Sequence, residues 1–297
     1  MRKILVLFLA VLSVSAQAQP RWSNFMASGP ATYVGPGDIV TFLGWWGLRA
    51  MSSATTGTAA IDLIRSSDSA TCTGVKTLAN GDLDVSSSTA YCSSSQTVTN
   101  FCNATTCKVT KLYDQTGNGR HLTQATDANR VIFTVSGLNG KPIVTTSTTT
   151  GMDSGAGSLS NQSQPYSMSI TAGITAGLLN TVKTFDNAGF LSSMGFDIGG
   201  HNLMYIAAGT TLQATASDVH FHAAQGLFNG VSSAIYIDGS NTTGDAGTNQ
   251  FGDRFALNPL FDQPGAAEWV EMGFMTGDQS SHFSSLNTNQ TSYWGPF

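Results

Sequence analysis

The chain has 297 residues, with 13 Lys and Arg against 18 Asp and Glu, for a formal net charge of −5. Charged residues make up 10%, whereas Ser and Thr together number 70 and Gly 32. An average soluble domain carries roughly 25% charged residues. The only two Glu are Glu268 and Glu271, so folds wrapped in long helices with charged outer faces are excluded as the main architecture.

At the start of the chain, Arg2 and Lys3 precede an apolar run from Ile4 to Val14, and Ala16-Gln17-Ala18 is a small-x-small triplet. This is the pattern of a secretory signal cleaved after Ala18, with an apolar run too short to span a bilayer. The expected organisation is a signal peptide over 1–18, a Gly- and Pro-rich extended lead-in over 19–44 and a single β-sandwich domain over 45–297. The mature chain is then secreted, periplasmic or on the cell surface, with no membrane segment after cleavage. Without Arg2 and Lys3 it carries 11 basic and 18 acidic residues. It has no basic stripe to neutralise phosphates, so no nucleic-acid partner is expected.

The four cysteines, Cys72, Cys92, Cys102 and Cys107, fall in one stretch. An even count in an exported chain suggests disulfides, and three pairings are open. The favoured one joins Cys102 to Cys107 in a tight loop and Cys72 to Cys92 in a longer one. A zinc site is the rival, but CxxC spacing is missing and no His lies among them. No metal and no cofactor are expected.

Beyond Trp45-Trp46, the run Ala59 to Arg65 reads as a strand or one helical turn, and Lys108 to Tyr113 alternates as a strand. Val131 to Val135 and Pro142 to Thr146 read as strands joined by Ser136 to Gly140, whose Asn139-Gly140 is a hairpin signature. Strand-like runs continue at Tyr166 to Ala172, Leu203 to Ala208, Val219 to Ala223, Ser233 to Ile237 and Glu268 to Met275. The fourth of these runs into Asp238-Gly239. Many short strands punctuated by Gly, Asn and Asp predict an all-β, two-sheet antiparallel β-sandwich.

Asp114-Gln115-Thr116-Gly117-Asn118-Gly119 marks a constrained turn, in which Asp114 and Asn118 either cap the backbone or contact a ligand. Trp45, Trp46, Trp269, Tyr293 and Trp294 are candidates for a sugar platform or for core. Asp218, His220 and His222 form an Asp-x-His-x-His line, suited to a metal, to acid/base work or to plain strand polar positions.

Phe101-Cys102-Asn103-Ala104-Thr105-Thr106-Cys107, followed by Tyr113-Asp114-Gln115-Thr116-Gly117-Asn118-Gly119, resembles the catalytic domain of family-54 α-L-arabinofuranosidases. Leu48-Arg49-Ala50 and Arg65-Ser66-Ser67-Asp68 are similar to the same family's N-terminal region. The resemblance is carried by residues 45–145 and is weak beyond them. It implies a concanavalin-like jelly roll and supports the Cys102–Cys107 bridge; Asn229 to Gly239 also resembles laminin-G-type sandwiches. Retaining hydrolysis needs two carboxyl groups about 5–5.5 Å apart. The family's nucleophile Glu directly precedes Asn-Gly-Leu-Phe, and here that place is taken by Ala224, ahead of Gln225-Gly226-Leu227-Phe228. The family's acid/base Asp maps to Asp253, and His222 stands where the family has a second Asp. The adjacent Cys-Cys pair of the family has no counterpart.

The resemblance therefore implies a secreted carbohydrate-active protein that binds glycan with catalysis lost or altered. Its partner is an oligosaccharide or polysaccharide, with arabinose-containing chains among the candidates. His222, Gln225, Asp114, Asn118 and Trp46 are the expected substrate contacts and Asp253 the expected acid/base. One alternative is an active α-L-arabinofuranosidase with a relocated nucleophile, for which Glu268 and Glu271 stand three apart and are expected on opposite strand faces. The other is a lectin-like surface module or a phage-virion structural and adhesion module.

Overall fold

The structure, a computed structural model, describes residues 32–87, 91–93, 95–176, 178–186, 189–197, 203–216, 220–258 and 265–295, with backbone alone at 174–176, 178–186, 189–190 and 197. The expected signal peptide, residues 19–31 of the lead-in and Asp218 lie outside the described residues.

The first half of the chain forms β1 (Gly44–Gly47), β2 (Ala59–Arg65), β3 (Thr71–Lys76), the short helix α1 (Val98–Phe101), β4 (Cys107–Leu112), β5 (Leu122–Thr123), β6 (Ile132–Thr134), β7 (Ile143–Thr145) and β8 (Met152–Asp153). The second half forms β9 (Tyr166–Ala176), β10 (Leu178–Asp186), β11 (Gly189–Asp197), β12 (Leu203–Ala207), β13 (Thr211–Thr215) and β14 (His222–Phe228). It continues through β15 (Ser233–Ile237), β16 (Ser240–Gly244), β17 (Arg254–Leu257) and β18 (Ala266–Thr276) to the helix α2 (Phe283–Trp294). Every pairing among these strands is antiparallel.

The pairings define two layers. One runs β16-β15-β14-β9-β18-β1, and the other β13-β12-β11-β10-β17-β8-β5. Strands β3-β2-β4-β6-β7 join both, through β7 to β18 and β4 to β5. The period of two along β9 sets the inner face: Tyr166, Met168, Ile170 and Ala172 are buried in the main core, while Ser167, Ser169 and Thr171 take the other side. Across the interior, Trp46 of β1 stacks on Phe255 of β17 with ring centroids 4.6 Å apart. Tyr166 stacks on Phe228 at 4.7 Å. Burying each such side chain contributes roughly 1.5–3 kcal/mol. The predicted two-sheet antiparallel sandwich is the fold observed.

Three local outcomes differ from the sequence reading. The last stretch, beyond the final strand read at Glu268 to Met275, is the helix α2. Its Ser, Thr and Asn residues are indifferent helix formers, but Phe283, Leu286, Asn287, Gln290 and Trp294 fall on one stripe and are buried against the outer face of β14 and β9. Tertiary docking supplies what propensity does not. The run read as Val219 to Ala223 becomes β14 only from His222, and His220 is exposed ahead of it. Between β6 and β7 the Asn-Gly signature closes a longer loop than a two-residue hairpin, with Asn139 at φ 50° and Gly140 at φ 79°. Asn139 Nδ2 there donates to the Trp294 carbonyl at 2.6 Å, tying the end of α2 to the sheet. By contrast, Asp238 and Gly239, at φ 48° and 84°, make a two-residue turn of the primed type between β15 and β16. Both favoured disulfides, Cys72–Cys92 and Cys102–Cys107, are present.

Candidate functional site

On β14 the inner face carries His222, Ala224 and Gly226 and the outer face Ala223, Gln225 and Leu227, because successive side chains alternate. Ala224 is wholly buried, opposite Ile170 of β9 and Ile237 of β15. Its methyl group is packing, with no carboxyl to attack a sugar carbon. His222, 1% exposed, lies 5.9 Å from the Phe196 ring and points Nδ1 at Asp238 Oδ2, 2.5 Å away. A carboxylate only accepts, so the imidazole donates from Nδ1 and its orientation is fixed. Asp238 reaches it from the turn after β15. That contact could not be read from sequence, although the Asp-Gly turn signal marks where Asp238 would sit.

Asp253 precedes β17. Its carbonyl accepts from the Leu159 amide at 2.8 Å, and its Oδ1 lies 3.6 Å from Arg254 Nε, with no hydrogen bond to that oxygen. Its neighbours two positions away face the other layer: the Phe251 ring packs on Tyr166 at 5.6 Å and Phe255 on Trp46 at 4.6 Å. Ala224, on β14 of that layer, has no carboxyl to pair with Asp253.

The expected substrate contacts also disperse. Asp114 is a structural cap: Oδ1 accepts from Trp45 N, Thr116 N and Thr116 Oγ1, and Oδ2 from Arg120 N. Beside it, the Tyr113 hydroxyl is pushed up to about 12 by burial and then by the Asp62 carboxylate. Asn118 is exposed but spends Nδ2 on the Leu43 carbonyl and Thr116 Oγ1. Trp46 has no exposed face and donates from Nε1 to the Arg120 carbonyl at 2.8 Å. Trp45, Trp269 and Trp294 are equally buried, so none of the four described tryptophans offers a sugar platform. Trp45 lies flat on the sheet because Gly47 and Gly273 flank it, where a Cβ would come within 2.2 Å and 2.6 Å of its ring. Gln225 is buried under α2, donating to Gln290 Oε1 at 2.6 Å.

The two glutamates correct a further expectation. A register shift between Trp269 and Glu271 leaves Val270 unpaired, so Glu268 pairs with Gly173 and Glu271 with Thr171. Gly173 and Thr171 are two apart on β9, so the bulge brings both Glu to one face. Glu271 is spoken for: Arg49 donates to it from Nε at 2.5 Å and from Nη2 at 2.9 Å, and both side chains are fully buried. Arg49 also donates to Asn289 Oδ1 of α2, and its guanidinium lies 4.5 Å from the Tyr293 ring centroid. Sequence reading matched Leu48-Arg49-Ala50 as a motif but had no signal for its partner 222 positions away. Among the described residues no group of three His, Cys, Asp or Glu is placed to hold a metal, and no helix is long and apolar enough to cross a membrane.

The described residues form a two-layer antiparallel β-sandwich in which the expected contact residues serve the core and its turns. A family model described as "Alpha-L-arabinofuranosidase B, catalytic" matches residues 45–142. The chain resembles that catalytic domain over this segment, in agreement with the extent read from the sequence. "Alpha-L-arabinofuranosidase B" of Aspergillus niger and that of Aspergillus kawachii (strain NBRC 4308) are each 35% identical over 100 residues, which is 34% of this chain and 18% of the relative. The match thus spans under a fifth of these relatives' length. The solved GH54 α-L-arabinofuranosidase soaked with a cyclic sulfate inhibitor superposes with TM-score 0.68 at 21% identity, covering 86% of this chain and 64% of that one. An arabinofuranosidase complexed with arabinofuranosyl-α-1,2-xylobiose gives TM-score 0.67 at 20% identity over the same shares. The likeness in fold thus extends well past the segment in which likeness in sequence ends.

Proposed function

We propose that the protein is an exported glycan-binding protein, a single sandwich domain after its signal peptide, that reuses an arabinofuranosidase-like scaffold without its hydrolytic chemistry. The observation that carries this reading is Ala224, wholly buried between Ile170 and Ile237 where the family's motif has its nucleophile. The enclosed Glu271, held by Arg49 beneath α2, supports it, because a carboxylate so neutralised and covered has no path to a sugar. Arabinose-bearing chains such as arabinoxylan are the favoured partner, since a solved arabinofuranosidase of similar fold is complexed with arabinofuranosyl-α-1,2-xylobiose.

The test pairs two assays on the purified mature chain. No release of 4-nitrophenol from 4-nitrophenyl α-L-arabinofuranoside is expected, together with retardation on arabinoxylan in affinity electrophoresis. Turnover well above the blank would overturn the loss of catalysis. Free migration through arabinoxylan, arabinan and xylan would overturn the binding role.

A further inference from the structure

The loop closed by Cys102–Cys107 and the outer side of β6 enclose a groove of about 400 Å³, built from residues that none of the sites above uses. Its volume lies in the range of small-molecule sites. The lining holds hydroxyls, an amide, the disulfide and aliphatic carbon, and no charged side chain. Ile132, 40% exposed, is one of the few large apolar residues on the described surface and sits on this groove.

Two features set the groove apart in a chain where hydroxyls are common. Asn103, Thr105, Thr106, Thr134 and Ser136 make no internal side-chain hydrogen bond among the described residues, whereas Thr99, on the same wall, donates to the Val85 carbonyl. Their hydrogen-bonding capacity is unspent and converges on one concavity. The walls are also held: the disulfide closes one side, the Ser66 amide donates to the Thr106 carbonyl at 2.9 Å, and β6 is paired on both edges, to β4 and β7. With both edges of β6 occupied, an extended peptide cannot add as a strand. With no charge in the lining, an anionic ligand gains nothing.

We infer that this groove is a carbohydrate subsite for a neutral sugar unit, whose C–H face lies on Ile132 while its hydroxyls meet Thr105, Thr106, Thr134 and Asn103. It goes beyond the reading of the sandwich interior, because it assigns sugar contact to a surface on the first half of the chain. The lining has both donors and acceptors, which matches a polyol and not a purely apolar guest.

The test is amide-resolved NMR of the 15N-labelled full mature chain, titrated separately with arabinotriose, xylotriose and cellotriose. Expected are saturable shifts confined to residues 102–107 and 132–136 with at least one sugar. In Ile132→Asp, which puts a charge against the C–H face, binding should weaken by about tenfold or more while the melting temperature holds, since the site is exposed. Thr134→Val serves as the second variant, removing a hydroxyl and keeping strand propensity. Absence of shifts in the groove, or wild-type affinity in both variants, overturns the proposal. Retention on arabinoxylan with a silent groove sinks the subsite and leaves the glycan-binding reading standing. Turnover of the chromogenic substrate alongside groove shifts overturns the loss of catalysis and leaves the subsite standing.

Discussion

Arg49 and Glu271 show how one pair can organise two layers of structure. Arg49 follows β1 and Glu271 lies on β18, and their bidentate contact is completed by Asn289 of α2, so sheet and helix share a single buried charge pair. Such a pair adds modest net stability, but removing one partner strands a buried charge. Glu271→Ala is expected to lower unfolding free energy by about 3–5 kcal/mol, read from urea denaturation. The Arg49→Met, Glu271→Leu double variant should recover much of that loss. Equal instability in both would mean that the pair acts through packing alone. At this scale the sequence was legible for the turn residues: Asp114 as a cap and Asp238-Gly239 as a hairpin follow from short-range chemistry. The burial of Trp46 and Gln225 was not, because a residue's exposure is set by what packs over it.

At the level of elements, two kinds of local order behave differently. The disulfide loops follow the pairing favoured among three, and Cys102–Cys107 braces the turn from α1 into β4. Each bridge restricts the unfolded chain, and reduction is expected to cost roughly 2–4 kcal/mol per bridge, seen as a lower melting temperature in reductant. An unchanged midpoint would mean that these loops are already held by the sheet. Helix α2 is the opposite case. Its sequence, Phe-Ser-Ser-Leu-Asn-Thr-Asn-Gln-Thr-Ser-Tyr-Trp, reads as loop or strand by propensity. It becomes a helix because Leu286 seals Trp45 and Met275, while Asn287 and Gln290 meet the polar outer face of β14 and β9. The bulge at Val270 is likewise invisible to a period-two reading, and it turned Glu268 to the face of Glu271.

Over the whole molecule, His222 is bound by Asp238 of the β15–β16 turn, whereas Asp253 lies beside Arg254 ahead of β17. Residues that belong to different clusters should not couple. His222→Ala, Asp253→Asn and the double variant are expected to show unfolding free energies that add within about 0.5 kcal/mol in a double-mutant cycle. Coupling well beyond that would place the two in one site and revive a catalytic pair. The sequence by itself determined the class of fold and the turn chemistry and favoured one of three cysteine pairings, because each rests on composition, period or spacing within a few residues. The place of Ala224 in the motif rests on the resemblance and not on these local rules. Only the tertiary structure decided that Trp46 is core, that Glu271 is paired with Arg49 and that α2 is a helix. Those outcomes depend on which strands become neighbours and in what register, and contacts between residues tens to hundreds of positions apart leave no periodic trace in the chain.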